Sequence, residues 1–187
     1  MSPAGPEGRV FAEASGREVV AHTDRLVLHQ YRLEDAPFAL RLLNEPTFLR
    51  FIGDKGVRTL EDARRYIEEE ALESYRAHDF GPYVVERRTG GEPVGTCGLL
   101  RKPWLDAPDL GYALLPEAAG RGYATETGRA VLNWALDALR LPRVVAVVQP
   151  DNAASIRVLE KLGFAPDGTV TEPTRGEELA RFALEAA

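Results

Sequence analysis

The 187-residue chain is 44% hydrophobic and 28% charged, the composition of a globular domain long enough to bury a core without covalent staples. Its formal net charge of −6 argues against general binding of DNA or RNA, because affinity for a phosphate backbone needs concentrated Lys and Arg. A single cysteine, Cys97, excludes an internal disulfide framework and a cysteine-built zinc site, and no stretch of about 18 apolar residues offers a membrane span.

The first 22 residues, "MSPAGPEGRVFAEASGREVVAH", are rich in Pro, Gly, Ala and charge and lack the apolar run of a secretory signal. They are expected to form a flexible extension ahead of one domain over 23–187, with the strand of "VVAHTDRLVLHQ" free to begin inside it. The cytoplasm is the simplest location. No repeat or low-complexity tract follows.

Residues 25–31, "RLVLHQY", alternate as a strand does, and "LEDAPFALRLLNEP" reads as a helix with Pro37 in its first turn and Pro46 as its stop. A second helix begins at Thr59, whose Asp62 partner makes a shortened capping box. Leu60, Ala63, Ile67, Ala71 and Tyr75 recur at helical spacing to about residue 77. The period then changes. "FGPYVVERR", "GEPVGTCGLLR" and "PDLGYALL" are three strand-like runs, expected to be antiparallel, the first two joined by the turn "TGGEP".

After Gly122, "YATETGRAVLNWALDAL" carries a broad apolar stripe through Val131, Leu132, Ala135, Leu136, Ala138 and Leu139. "RVVAVVQ" (143–149) is apolar on both alternating faces, as a strand covered on both sides would be. "NAASIRVLEKLGF" reads as a short helix closed by Gly163 and Phe164, and two last strands are expected at 168–172 and 177–184. Residues 109–160 thus spell strand, helix, strand, helix, a crossover that makes its two strands parallel. The fold class is α/β, with a mixed sheet and helices on both faces.

"LLPEAAGRGYATETG" (114–128) joins the first strand of that crossover to its helix. Such a turn exposes N–H groups with no partner inside the helix, and the helix dipole adds partial positive charge there. Gly120 and Gly122 allow close approach of a diphosphate, Arg121 can add a formal charge, and Thr125 can offer a hydroxyl. The spacing excludes two familiar phosphate loops. No Lys-Ser or Lys-Thr pair follows, as a Walker loop requires, and the third glycine of the dinucleotide fingerprint is missing. Taken alone, the segment also fits a tight loop beside a packed helix.

"TDRLVLHQYRLEDAPFALRLLNEPTFLRFIG", "GYALLPEAAGRGYATE" and "VVQPDNAASIRVLEKLGF", in that order, resemble the GNAT superfamily of acyl-CoA-dependent N-acyltransferases, its RimJ/RimL-like branch in particular. The resemblance covers about residues 23–185. It implies a mostly antiparallel central sheet whose one parallel pair, here 109–115 and 143–149, splays into a V-shaped cleft for pantetheine. It also implies a loop of pattern Q/R-x-x-G-x-G/A whose amides hold the pyrophosphate of coenzyme A. Glu117 stands at the first position of that pattern, a departure that removes the expected side-chain contact but not the amides. Carried onto this chain, the cofactor residues are Ala113, Leu114 and Leu115 through their main chain, Ala119, Gly120, Arg121, Gly122, Tyr123, Ala124 and Thr125 in the loop, and Asn152. Acetyl-CoA is the implied cofactor and no metal is implied.

In the same family a Ser near the position of Ser155 can lie close to the thioester sulfur, so Ser155 is the candidate proton donor. Asn152 and Ser155 equally suit the cap and first turn of a helix. A thiol of pKa about 8.5 leaves readily, so a donor need supply only a few kcal/mol. Deprotonating the acceptor is harder: at pH 7 a lysine-like amine needs roughly 4.6 kcal/mol and an α-amine about 1 kcal/mol. Asp109, at the start of the cleft strand where several relatives keep a base, is the candidate base, and a solvated strand-end Asp is the plainer reading. Glu126 suits the helix start. His22, His29 and His78 have no ligand spacing, Tyr112 is expected to pack with its hydroxyl within reach of the cleft, and Trp104 either walls the acceptor pocket or clamps a core edge.

The implied reaction is acetyl transfer to a primary amine, on a protein N-terminus or a small molecule, by direct attack in a ternary complex. Two alternatives stay open, a non-catalytic acyl-CoA sensor or protein-interaction module and transfer of a longer acyl group. No nucleic-acid or membrane partner is expected, and a homodimer is compatible with a sequence that encodes no oligomeric state.

Overall fold

A computed structural model describes residues 11–12 and 18–186. Nine strands among these residues form one sheet in the order β1-β2-β3-β4-β5-β6-β7-β9-β8. They are β1 (Phe11–Ala12), β2 (Glu18–His22), β3 (Leu26–Gln30), β4 (Pro82–Arg87), β5 (Pro93–Leu100), β6 (Asp109–Leu114), β7 (Arg143–Val148), β8 (Ala165–Glu172) and β9 (Glu177–Glu185). Neighbours are antiparallel throughout except β6 and β7, which are parallel, as the crossover requires.

The sheet begins inside the segment assigned to the extension, as a separate strand and not as an early start of the strand at 25–31. Glu18–His22, assigned from sequence to the extension, pair with β3 through Val19↔His29 and His22↔Val27, and Val19 is buried. Five residues with one inward apolar side chain carry too little alternation to mark a strand by pattern alone. Residues 1–10 and 13–17, the rest of that extension, lie outside the described residues.

One face of the sheet carries α5 (Tyr123–Asp137) and α6 (Ala153–Leu162). Val131, Leu132 and Ala135 of α5 and Leu159 of α6 pack there on Leu110, Val144, Ala146 and Val148. The two helices approach closely at Gly128, where a Cβ would lie 2.7 Å from a Leu162 methyl. Gly163 ends α6 with φ 92, and Phe164 is buried behind it. Ala138 of the expected stripe lies exposed beyond the end of α5.

The other face carries α1 (Ala36–Leu43), α2 (Pro46–Phe51) and a rod made of α3 (Leu60–Tyr66), a π-helical stretch (Ile67–Leu72) and α4 (Glu73–His78). Pro37 sits in the first turn of α1. Pro46 does more than stop that helix: it forces Glu45 into an extended conformation and opens α2, a helix the sequence reading missed. Both bonds of the Thr59–Asp62 capping box form. Ala63, Ile67 and Ala71 are buried, but Leu60, counted in the same stripe, is 42% exposed at the helix start. This layer and Val84 of β4 form a second core.

β7 is covered on both sides, but by unlike things. Val144, Ala146 and Val148 lie under the helices, whereas Val145 lies under Leu105 and Ala107 of the loop joining β5 to β6. Asp106 fastens that loop to β9 through Arg181 at 2.7 Å.

Candidate active site

The parallel ladder between β6 and β7 is a single register pair, Asp109↔Val145. Val145 N–H donates to the Pro108 carbonyl at 2.9 Å, which fixes the residues 108, 110, 112 and 114 as those whose main chain faces β7. Beyond Asp109 the two strands part, so the cleft edge of β6 consists of the main-chain groups of Tyr112 and Leu114. This corrects the expectation for Ala113 and Leu115. Ala113 is paired with Thr96, and Leu115 N–H donates to the Val94 carbonyl at 2.9 Å, so both point to β5, away from the cleft. Of the three residues expected there, Leu114 alone faces it.

At the end of β6 the chain makes a 3-10 turn (Pro116–Ala118) and then the glycine loop. Gly120 and Gly122 have φ 72 and 78, left-handed conformations that cost other residues strain, which is why both positions are glycine. A Cβ at Gly120 would meet no protein atom within 4 Å, so the space beside it is open. The Ala119 N–H turns inward to the Pro116 carbonyl at 3.2 Å, so Ala119 does not contribute its amide. From Gly120 to Thr125 the N–H groups have no protein acceptor among the described residues. The first helical bond is Glu126 N–H to the Gly122 carbonyl at 3.0 Å. Six successive open donors at the positive end of a 15-residue helix make an anion cradle.

Side chains that the sequence did not connect hold this cradle. Glu126 accepts from the Thr23 hydroxyl at 2.5 Å, from the Arg25 N–H at 3.1 Å and from Arg25 Nε at 2.7 Å. Arg25 also donates to the Arg121 carbonyl at 3.0 Å and lies over the Tyr123 ring at 4.6 Å. Partial burial would raise the Glu126 pKa, but the bonds from Thr23 and Arg25 outweigh it and hold the carboxylate below its ordinary value. Glu117 pairs with Arg41 at 2.7 Å, and Arg121 Nε donates back to the Glu117 carbonyl at 3.0 Å, bracing the turn at the surface.

Across the cleft, Asn152 caps α6 by accepting from Ser155 N–H at 3.1 Å, which leaves its side-chain N–H groups for a ligand. The Ser155 Oγ and the Tyr112 hydroxyl lie 2.7 Å apart, bridging β6 and α6. Burial pushes the Tyr112 phenol up to about 12, against the lowering effect of the Ser155 bond.

Asp109 is not a solvated strand-end residue. It is 2% exposed, its Oδ1 accepts from Val147 N–H at 3.0 Å, and its Oδ2 pairs with Lys102 Nζ at 2.6 Å. Trp104 clamps the β5–β6 loop, packing against the cluster of Leu105, Ala107 and Val145 while Lys102 lies 5.4 Å over its ring. His29 is buried in the sheet and bonded to Glu86 at 3.1 Å, while His22 and His78 are exposed. No cluster of metal-ligating side chains occurs among the described residues, nor any helix long and apolar enough to cross a membrane.

A splayed parallel pair, a glycine-rich anion loop on the helix after it, and a second helix capped at the same cleft define an acyl-CoA transferase architecture. Residues 25–165 match the family model described as an acetyltransferase (GNAT) domain. The chain is 32% identical over 155 residues to the uncharacterized N-acetyltransferase YoaA of Bacillus subtilis, covering 82% of this chain and 86% of that one. Its fold is similar to a crystal structure of an acetyltransferase from Agrobacterium tumefaciens, with TM-score 0.75, 25% identity and coverage of 97% and 99% of the two chains. It is also similar to RimL, the ribosomal L7/L12 alpha-N-protein acetyltransferase solved with coenzyme A, with TM-score 0.78, 18% identity and coverage of 90% and 98%. The chain belongs to the GNAT acetyltransferase family, and it is an acetyl-CoA-dependent N-acetyltransferase.

Proposed function

We propose that this chain transfers the acetyl group of acetyl-CoA to a primary amine, on a protein N-terminus or a small molecule, by direct attack in a ternary complex. The observation that carries the cofactor site is the run of six open amides from Gly120 to Thr125, in the loop that follows the open edge of β6. Those amides suit the diphosphate, with Arg121 beside it. The main chain of Tyr112 and Leu114 suits the pantetheine amides, and Asn152 faces them from α6.

Acetyl-CoA supplies an activated acyl carbon and a thiol leaving group. The protein's part is alignment and hydrogen bonding. The Tyr112 N–H on the cleft edge is the main-chain donor for charge developing on the acyl oxygen. The Tyr112–Ser155 hydroxyl pair would be the source of a hydrogen bond to the leaving sulfur. With the phenol at about 12 and a thiol near 8.5, complete proton transfer from Tyr112 would be uphill by roughly 5 kcal/mol, so the pair gives a hydrogen bond rather than a proton.

Both oxygens of Asp109 are engaged, which turns it away from the base role read in the sequence. Acceptors that need little help, α-amines at about 1 kcal/mol from neutrality at pH 7, are therefore favoured over lysine-like amines. Thiol release from acetyl-CoA, measured against α-amino peptides, aminoglycosides and polyamines, tests the proposal. Turnover is expected with the α-amines. Turnover confined to amines of pKa above 10 would reject the acceptor class, and none with any amine despite coenzyme A binding would reject the reaction.

A further inference from the structure

In a regular parallel ladder the rung after Asp109↔Val145 would be Val147 N–H donating to the Leu110 carbonyl. That rung is missing. Val147 N–H donates instead to Asp109 Oδ1 at 3.0 Å, a side-chain oxygen standing in for the main-chain one. The substitution lies at the apex of the V, where the strands begin to part.

A buried carboxylate in that position needs its charge compensated, and Lys102 Nζ does so at 2.6 Å from Oδ2. Lys102 belongs to the same loop that roofs Val145 and is fastened through Asp106 to Arg181. The carboxylate is therefore fixed from two sides, by β7 and by the loop. It satisfies the one N–H whose search for a partner would otherwise zip β7 further along β6.

We infer that Asp109 is a positioning residue that ends the β6–β7 ladder and holds the cofactor cleft open, its carboxylate replacing one rung of main-chain pairing. This rests on the acyl-CoA reading of the cleft given above. Removing the side chain frees Val147 N–H to bond the Leu110 carbonyl, and pantetheine must then break that bond to enter. The geometry assigns the effect to cofactor binding, with no change in the protonation that governs turnover.

Asp109→Ala and Asp109→Asn, each checked by thermal melt and circular dichroism, separate the roles. The Asn Oδ1 keeps the acceptor for Val147, so Asp109→Asn is expected to bind coenzyme A within a fewfold of wild type. Asp109→Ala is expected to weaken binding by about tenfold or more. Both should retain the wild-type pH profile of kcat at saturating acetyl-CoA. If Asp109→Ala fails to fold, amide hydrogen exchange of Val147 in wild type and Asp109→Asn replaces it, with protection in both expected. Equal coenzyme A affinity of Asp109→Ala and wild type, an unprotected Val147 amide, or loss of kcat with its acidic limb in Asp109→Asn would overturn the inference. Failure of the wild-type chain itself to bind coenzyme A would instead overturn the reading of the cleft.

Discussion

Replacing Gly120 by alanine separates two reasons for a glycine that are usually entangled. At φ 72 an alanine is strained by about 1 kcal/mol, and this cost falls on the folded protein whether or not a ligand is present. The added Cβ meets no protein atom within 4 Å, so no packing penalty joins it. The melting temperature is expected to fall by only about 2–4 °C in a domain of this size. The methyl does project into the space beside the open amides, where a diphosphate must come within hydrogen-bond distance. Losing one charge-assisted bond of about 1.5–3 kcal/mol corresponds to a Kd for coenzyme A weakened about ten- to a hundredfold.

Gly168 supplies the control. It has φ 84, an equally open Cβ direction, and a place on β8 at the edge of the sheet. Gly168→Ala should lower the melting temperature by a similar amount and leave coenzyme A binding unchanged. Isothermal titration of coenzyme A with differential scanning of the three proteins reads both quantities. Binding by Gly120→Ala at wild-type affinity would refute the placement of the diphosphate at this loop, and equal losses in both variants would assign the effect to strain.

Tyr112→Phe and Ser155→Ala should each lower kcat about tenfold or less at unchanged KM for acetyl-CoA, with the double variant no worse than either, because the two hydroxyls form one bonded pair; additive losses in steady-state kinetics would show independent roles. Glu126→Gln should cost about 1 kcal/mol in urea unfolding at pH 7. Since the folded-state pKa of Glu126 is depressed, its contribution is present above the unfolded pKa and lost as pH falls through the folded one, so the variant and wild type should converge at acid pH; a difference that persists there would point to packing. Burial pushes the Cys97 thiol up to about 12, so a disulfide reagent at pH 8 should modify it only after denaturation, and rapid native-state reaction would contradict its place in the core. Arg25 and Arg41 beside the loop are each matched by an acid, which leaves the amides with Arg121 to meet the diphosphate, so coenzyme A affinity should change less than about tenfold between 0.05 and 0.5 M salt; a hundredfold loss would transfer the binding from amides to arginine side chains.

The elements read correctly from sequence are those whose cause is local. Thr59 and Asp62 sit three residues apart and bond each other across one helical turn, and Gly163 with Phe164 closes α6 through φ 92 and one buried ring. Where the cause is distant, the reading failed. Pro46 has the same local meaning at the end of one helix and the start of the next, and only packing of Phe48 into the second core decides that α2 exists. Val19 marks β2 only because β3 lies beside it. Leu60 shares the period of Ala63 and Ile67 yet stays exposed as the first residue of α3, where the period alone does not say which turn of the helix the core reaches.

The site divides along the same boundary. Gly120 and Gly122 were legible because a left-handed backbone at a strand-to-helix turn is a property of a few consecutive residues. The cleft edge was not, because which main-chain groups face β7 depends on the register of β6 against both neighbours, and a shift of one residue exchanges Ala113 and Leu115 for Tyr112 and Leu114. The partners that tune the site come from still farther away: Arg25 reaches Glu126 from the β2–β3 turn, and Lys102 reaches Asp109 from the loop that roofs β7. Asp109 shows the consequence most clearly. Its position at the head of the cleft strand is what made it look like a base, and the same position places its oxygen against Val147 N–H, so the feature that nominated it for proton transfer is the one that occupies it with holding two strands apart.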